Sequence, residues 1–175
     1  MKKIVFLIPA ILLLNFCIAA QDKSPRANPD FTGTWIFDAK ASQVANDFKR
    51  DFKDYTLVIV HAEPQIKITR SAILKNENIS ADLILYTDKR GEKNQPYFRV
   101  KTQEVTSKSF WKKGVLVREF TETMLPNSNW QIRTNERYIL SEDKKTLIII
   151  STSNVIGVIN SDDTRNYKWV FRRKE

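Results

Sequence analysis

The stretch FTGTWIFD at residues 31–38 decides the fold that this sequence predicts. It is typical of a β-strand, and Gly33 stands two residues before Trp35. A glycine inside a strand lets a neighbouring backbone approach where a side chain would block it. A second aromatic strand, YKWVFRR at residues 167–173, lies near the other end of the chain. We expect these two strands to meet and to close an antiparallel barrel.

The residues between these strands follow a strand–turn–strand pattern. Alternation of apolar and polar residues predicts strands at 55–61, 65–74, 79–86, 97–101, 105–111, 115–124, 130–140 and 147–153. Residues 39–54 have helical spacing instead, which predicts one short helix over a barrel mouth near the N-terminal end. The predicted fold class is all-β, a single antiparallel up-and-down β-barrel of about eight to ten strands.

The Gly33-x-Trp35 start resembles the calycin superfamily, which comprises the lipocalins and the fatty-acid-binding proteins. Residues 31–173 as a whole are also similar to small exported bacterial proteins described as lipocalin-like. The shared features are Asp38-x-x-x-Ser42, the hairpin WKKGVL at 111–116, and SEDKKTL at 141–147 with Lys144 in place of a glycine.

This resemblance implies a barrel that can hold a small apolar ligand. It also implies that a basic residue near the end of the barrel packs across the tryptophan of the first strand. Arg172 and Arg173 stand in that part of the chain. Gly33, Trp35, Arg172 and Arg173 are therefore the residues that we expect to close one end of the barrel.

The N-terminal residues predict export. Residues 1–20 fit a secretory signal peptide, with Lys2 and Lys3 before an apolar run and small residues before Gln21. Residues 21–30 then form a polar tether, and 31–175 form the lipocalin-like barrel domain. The protein is expected to be periplasmic or secreted. The alternative is a lipoprotein anchor at Cys17, although Phe16 occupies a position where a small residue is expected.

The charge is basic. The whole chain has a formal net charge of +9, and loss of Lys2 and Lys3 with the leader leaves +7. The basic residues are spread along the strands, and export argues against DNA or RNA, so no nucleic-acid partner is expected. A solvated basic surface is the first interpretation of this charge, and the candidate partners are an anionic envelope lipid or an anionic small molecule. The pattern indicates no particular oligomeric state.

Catalytic and metal-binding motifs are missing from the sequence. His61 is the one histidine and lies beside Glu63, but no Gly-x-Ser-x-Gly or comparable motif supplies a nucleophile. The one cysteine falls in the leader, so a zinc or copper site is not expected. Asp162 and Asp163 lack the spacing of a calcium loop. We therefore expect neither an enzyme nor a cofactor.

Three charged residues share strand faces with large apolar residues and are the candidate polar groups of a binding cavity. These are Arg70, Arg118 and Glu136, with Phe120 and Tyr138, and also Trp111 and Trp130, as aromatic walls. Buried charges without partners are costly, so these groups should be paired inside the barrel or lie near its mouth. The alternative is a structural ion pair or a position at a strand end in water.

The predicted function is that of an exported, non-catalytic, lipocalin-like protein that binds a small apolar or amphipathic molecule, including an anionic one. The alternative is a filled barrel that serves as an envelope or protein-interaction module without a small ligand. The volume inside the barrel separates the two.

Overall fold

The computed structural model describes residues 27–94, 105–123, 131–156 and 164–175. Within these ranges the chain forms ten strands and one short helix. In chain order the elements are β1 Gly33–Phe37, α1 Asn46–Asp51, β2 Phe52–Ala62, β3 Gln65–Leu74, β4 Glu77–Tyr86, β5 Glu92–Asn94, β6 Val105–Lys112, β7 Val115–Thr123, β8 Gln131–Leu140, β9 Thr146–Ile156 and β10 Thr164–Arg173. The strands form one antiparallel sheet in the order β4-β3-β2-β1-β10-β9-β8-β7-β6-β5. The prediction of an all-β, antiparallel, up-and-down barrel is confirmed.

The first and last strands are neighbours in this sheet. Trp35 of β1 lies opposite Arg173 of β10 and, on its other side, opposite Leu57 of β2. β1 and β10 therefore join the two halves of the sheet, β4-β3-β2 on one side and β9-β8-β7-β6-β5 on the other.

The sheet closes into a barrel almost completely, and side chains bridge the remaining gap between β4 and β5. The N–H of Ile84 donates to Oδ1 of Asn94 at 2.8 Å, and Nδ2 of Asn94 donates to the carbonyl of Ile84 at 2.8 Å. The N–H of Tyr86 donates to Oε2 of Glu92 at 3.4 Å. The carboxamide of Asn94 thus takes the place of a backbone peptide group and satisfies polar groups of an edge strand.

Two tight turns have the positive φ angles that the sequence suggests. Lys113 (φ 52°) and Gly114 (φ 77°) connect β6 to β7, which confirms the predicted two-residue hairpin. Lys144 has φ 58° at the position where the lipocalin-like pattern has glycine. This lysine therefore adopts the left-handed conformation that glycine adopts at lower cost.

Some predicted boundaries are wrong. β5 lies between the predicted strands at 79–86 and 97–101, where no strand was expected, and β2 begins at Phe52, before a bulge between Lys53 and Thr56. The helix spans only Asn46–Asp51 of the predicted 39–54 region. The leader at 1–20, the strand at 97–101, Trp130 and the Asp162-Asp163 pair lie outside the described residues.

The inward faces of the strands form the core. In β3, Ile66, Ile68, Arg70 and Ala72 are buried while the residues between them are more exposed, as the alternation predicts. The buried apolar cluster comprises Phe31, Trp35, Leu57, Ile59, Ile66, Ile68, Leu83, Leu85, Leu116, Tyr138, Leu147 and Phe171. This cluster fills part of the barrel interior, and several of its residues also line a cavity beside it.

Candidate functional site

The barrel encloses a cavity of about 490 Å³. Its walls are mainly apolar and aromatic side chains from β2, β3, β4, β8, β9 and β10, including Leu57, Ile68, Leu83, Ile149, Trp169 and Phe171. Val44, Ala45 and Phe48, in α1 and just before it, line one end. The cavity thus runs from the barrel interior to the helix at the mouth.

Aromatic packing holds α1 at the mouth. The ring of Phe48 stacks on Phe52 with centroids 4.2 Å apart, and meets Trp169 edge to face at 4.5 Å. The helix is short, no residue within it is buried, and Ala45 at its N-cap gives no side-chain hydrogen bond. Short helices are marginal on their own, so these aromatic contacts stabilise its position.

A polar cluster lies on the wall of this cavity, where β7 and β8 pair. Arg118 and Glu136 are directly opposite each other in the register of these strands. Nη1 of Arg118 donates to Oε2 of Glu136 at 3.2 Å, and the hydroxyl of Tyr138 donates to the same oxygen at 2.9 Å. The side chain of Arg118 is 1% exposed and that of Glu136 is 19% exposed. The predicted pairing of buried charges is therefore present in the cavity wall.

Further contacts fix the guanidinium of Arg118. Its Nε donates to Oγ of Ser107 at 3.2 Å, and its carbon lies 4.2 Å from the centre of the Phe120 ring. Its Nη2 is buried and has no hydrogen-bond partner among the residues that the structure describes. Nη2 is therefore a donor in the side chain of a cavity-lining residue that has no acceptor among the described residues.

The charges around Tyr138 shift the pKa values of this cluster. Burial raises the pKa of the Tyr138 hydroxyl well above its ordinary value of 10.0, and the Glu136 carboxylate raises it further. Burial lowers the pKa of Arg118, but the nearby Glu136, Tyr138 and Glu92 outweigh this and raise it. Arg118 is thus charged and Tyr138 protonated at neutral pH.

The sequence reasoning did not identify the second layer of this cluster. Ser107 and Ser109 donate to Oε1 of the buried Glu92 at 2.9 and 2.7 Å. Arg118 and Phe120 lie opposite Ser109 and Ser107 in the register of β6 and β7. The signal in the sequence is the alternation Val105, Ser107, Ser109, which places two small polar residues on the inward face beside an arginine.

The other candidate cavity residues take different positions. Arg70 is 9% exposed and lines the same cavity, and its charge acts on the hydroxyls of Tyr55 and Tyr138. Phe120 is buried against Arg118 but is not among the cavity-lining residues. Trp111 also lies outside the lining and packs on Phe31 with centroids 5.7 Å apart. The structure therefore brings Arg70, Arg118, Glu136 and Tyr138 together around one cavity, without Phe120 and Trp111.

Another part of the barrel contains the residues expected to close it. The guanidinium carbon of Arg173 lies 4.3 Å from the centre of the Trp35 ring, and Nη1 of Arg173 donates to the carbonyl of Thr32 at 2.7 Å. A Cβ at Gly33 would lie 2.5 Å from Nη1 of Arg173. Arg172 points elsewhere: its Nε donates to Oδ2 of Asp38 at 3.1 Å.

His61 lies in a packed cluster beside Phe31 and Trp111. Its ring is stacked with both, at centroid distances of 6.1 and 6.0 Å, and its side chain is 5% exposed. Its Nε2 lies 3.2 Å from Oε1 of Glu63, which also accepts from Nε1 of Trp111 at 2.7 Å. These contacts give His61 a packing role at the end of β2.

No group of three or more His, Cys, Asp or Glu side chains in the described ranges is placed to hold a metal ion. The one helix in the described ranges, α1, lacks the length and apolar character required to cross a membrane.

No family model matches the sequence, and no curated protein matches it. A solved structure does share the fold. It is a REP1-NXSQ fatty acid transporter. Its TM-score with this chain is 0.54, and the match covers 83% of this chain and 97% of the transporter chain.

The sequences are 9% identical, so the likeness to the transporter shows the fold alone. Residues that bind a ligand cannot be transferred from the transporter at this identity. The resemblance to lipocalins and their bacterial relatives stays a prediction.

Proposed function

We propose that this protein is a non-catalytic binding protein for a small amphipathic molecule. The cavity of about 490 Å³, with the buried Arg118 and Tyr138 and the partly buried Glu136 on its wall, is the observation that carries this proposal. The apolar body of the ligand lies among the aliphatic and aromatic walls. Its polar head lies at the Arg118 cluster.

The size of the cavity supports binding over a filled barrel. Ligand pockets commonly have volumes of about 300–1,000 Å³, and this cavity lies within that range. At about 30 Å³ per molecule, water alone would have to fill it with roughly sixteen molecules. The part of this water that lies against Leu57, Ile68, Leu83, Ile149 and Phe171 finds no hydrogen-bond partner in those side chains. An apolar ligand stabilises this interior better than water does.

The polar cluster supports an amphipathic ligand over a hydrocarbon. Pockets that bind small molecules are mostly apolar and contain a few polar groups that orient the ligand. Arg118 is almost completely buried, yet its Nη2 has no hydrogen-bond partner within the described ranges. An unsatisfied buried donor costs about 1–3 kcal/mol, which a ligand oxygen can recover. The fold that the protein shares with a fatty acid transporter agrees with this assignment.

A cavity-filling substitution tests the proposal. Ser151 lines the cavity and is 8% exposed, so Ser151→Phe places a ring inside it. We expect it to weaken binding of N-phenylnaphthylamine, a neutral fluorescent probe, by about tenfold or more, equivalent to about 1.4 kcal/mol. Thr152→Phe is the matched control, because Thr152 lies on the outward face and donates to the exposed Asn166. Equal binding of the probe by both variants and the wild type would place it outside the barrel.

We also propose that the protein is exported, on the basis of the signal-peptide features of residues 1–20. The intact mass of the protein purified from its own cells tests this proposal. A mature chain that begins at Gln21 is expected. A chain that begins at a lipid-modified Cys17 would support the lipoprotein alternative, and a full-length chain in the cytoplasm would exclude export.

A further inference from the structure

We propose that Glu136 acts as an internal counter-ion of Arg118 and thereby selects a ligand whose head group is uncharged. The preferred head both accepts and donates hydrogen bonds, as a hydroxyl or an amide does. A carboxylate on the same apolar chain binds more weakly. This inference rests on the proposed function, and it names the ligand class of that same cavity.

Arg118 is already neutralised without a ligand. Its side chain is 1% exposed, so little water reaches the charge in the unliganded barrel. Glu136 lies directly opposite and accepts a hydrogen bond from Nη1 at 3.2 Å. A buried guanidinium without a partner would be costly, and Glu136 removes that cost in the empty barrel. A ligand anion is therefore not needed to compensate the arginine.

One hydrogen-bonding position of the Arg118 guanidinium remains for a ligand. Nη2 of Arg118 is the donor that lacks a partner among the described residues. A ligand oxygen bound there lies next to the guanidinium edge that already holds the Glu136 carboxylate. Charges about 4–6 Å apart act strongly on each other away from water. At this position a ligand carboxylate would meet the repulsion of Glu136 together with the attraction of Arg118, whereas a neutral oxygen meets only the donor. Arg70 and Arg165 also line the cavity, so an anion bound away from Nη2 would be held by them instead.

The hydroxyl oxygen of Tyr138 is complementary to a ligand hydroxyl or amide, because it can accept a hydrogen bond. The hydroxyl of Tyr138 donates its proton to Oε2 of Glu136 at 2.9 Å, so its oxygen retains lone pairs for accepting. Tyr138 is 3% exposed and lines the cavity. A ligand hydroxyl or amide can accept a hydrogen bond from Nη2 of Arg118 and donate one to the hydroxyl oxygen of Tyr138. A carboxylate has no proton to donate.

Three ligands with the same chain and different heads test the inference: dodecanol, dodecanamide and dodecanoate. The displacement of N-phenylnaphthylamine from the protein by each ligand is measured in a buffer in which dodecanoate is ionised. We expect the wild type to bind the alcohol and the amide about tenfold more tightly than dodecanoate. In Glu136→Gln, we expect the affinity for dodecanoate relative to that for dodecanol to rise about tenfold or more.

Glu119→Gln is the matched control. Glu119 is exposed on the outward face of β7 and accepts from Asn135 at 3.2 Å, so this variant changes the net charge equally without altering the cavity. It is expected to keep the wild-type order of affinities. The order in the wild type decides the question even where Glu136→Gln fails to fold.

Dodecanoate bound more tightly than dodecanol by the wild type, or an unchanged order in a folded Glu136→Gln, would overturn the role of Glu136 while the proposed function stands. A preference for dodecanoate that disappears in Arg70→Met would overturn it too and would place the anion at Arg70. Failure of all three ligands to displace the probe from the wild type and from Glu136→Gln would overturn the proposed function itself.

Discussion

The guanidinium of Arg173 lies over the indole of Trp35, with 4.3 Å between its central carbon and the ring centre, and the two residues are paired across β1 and β10. Nε and Nη1 of Arg173 also donate to the carbonyls of Lys144 and Thr32. One side chain thus joins the first strand, the last strand and the turn between β8 and β9.

Replacement of Arg173 is expected to lower the stability of the barrel. Arg173→Met loses the cation–π contact and two charge-assisted hydrogen bonds, and should reduce the free energy of unfolding by about 1–3 kcal/mol. Arg172→Met is the control, since it removes a surface ion pair with Asp38, worth about 0.5 kcal/mol, and an exposed hydrogen bond to Oγ1 of Thr146. Urea denaturation measures both, and equal losses would contradict the role of Arg173.

Replacement of Gly33 is expected to act through Arg173. Gly33 has φ +145°, and an added Cβ would lie 2.5 Å from Nη1 of Arg173. Gly33→Ala should therefore cost about 1–3 kcal/mol of unfolding free energy, from backbone strain and from displacement of the guanidinium. The cost should be smaller when Arg173 is already methionine. A double-mutant cycle measures this coupling, and strictly additive losses would show that the two sites act independently.

The carboxamide of Asn94 is expected to hold the gap between β4 and β5. Asn94→Ala removes both hydrogen bonds to Ile84 and should lower the free energy of unfolding by about 1–3 kcal/mol. The amide of Ile84 should then exchange its hydrogen faster, as mass spectrometry or NMR can detect. Lys93→Ala, at the exposed position of the same strand, is the control. Unchanged exchange at Ile84 in Asn94→Ala would mean that the gap is held by other contacts.

The buried tyrosines predict a loss of stability at alkaline pH. Burial raises the pKa of Tyr55 from 10.0 to about 12. Since the pKa is higher in the folded state, the stabilisation is fully present below the unfolded value of 10.0 and is lost as the pH rises toward about 12. Tyr55→Phe should make the decline over this range less steep. Stability curves of the wild type and Tyr55→Phe that run parallel across this range would contradict the assignment.

The strand pattern could be read from the sequence because most strands have one buried face. Trp35, Ile66, Ile68 and Leu147 alternate with more exposed residues, so their strands carry a clear period of two. The closure of the barrel was also predictable, because Gly33 and Trp35 stand together in one strand and an arginine pair ends the other.

The parts that the sequence did not predict are those where polar residues point inward. Glu92 and Asn94 are 6% and 5% exposed, yet in sequence they belong to a polar stretch typical of a turn. They are buried because the gap beside β4 presents backbone groups that need partners, and this gap depends on the closure of the whole barrel. No local pattern indicates it.

The candidate site was predictable as a set of inward-facing residues and not as a cavity. Alternation places Arg118, Phe120 and Tyr138 on inward faces, and all three are buried. Which of them contact the cavity depends on their height along the barrel and on how neighbouring side chains fill the space. Phe120 packs on the guanidinium of Arg118, while Tyr138 reaches the cavity. That difference arises from three-dimensional packing.

Occupancy of the barrel is tested most directly by native mass spectrometry of the protein purified from its own cells under gentle conditions. The expected result is a mass above that of the polypeptide chain by one small lipophilic molecule, which organic extraction releases. Ser151→Phe should lose this added mass and Thr152→Phe should retain it. A wild-type protein recovered at the bare polypeptide mass, with no lipid in the extract, would contradict a binding function for the cavity.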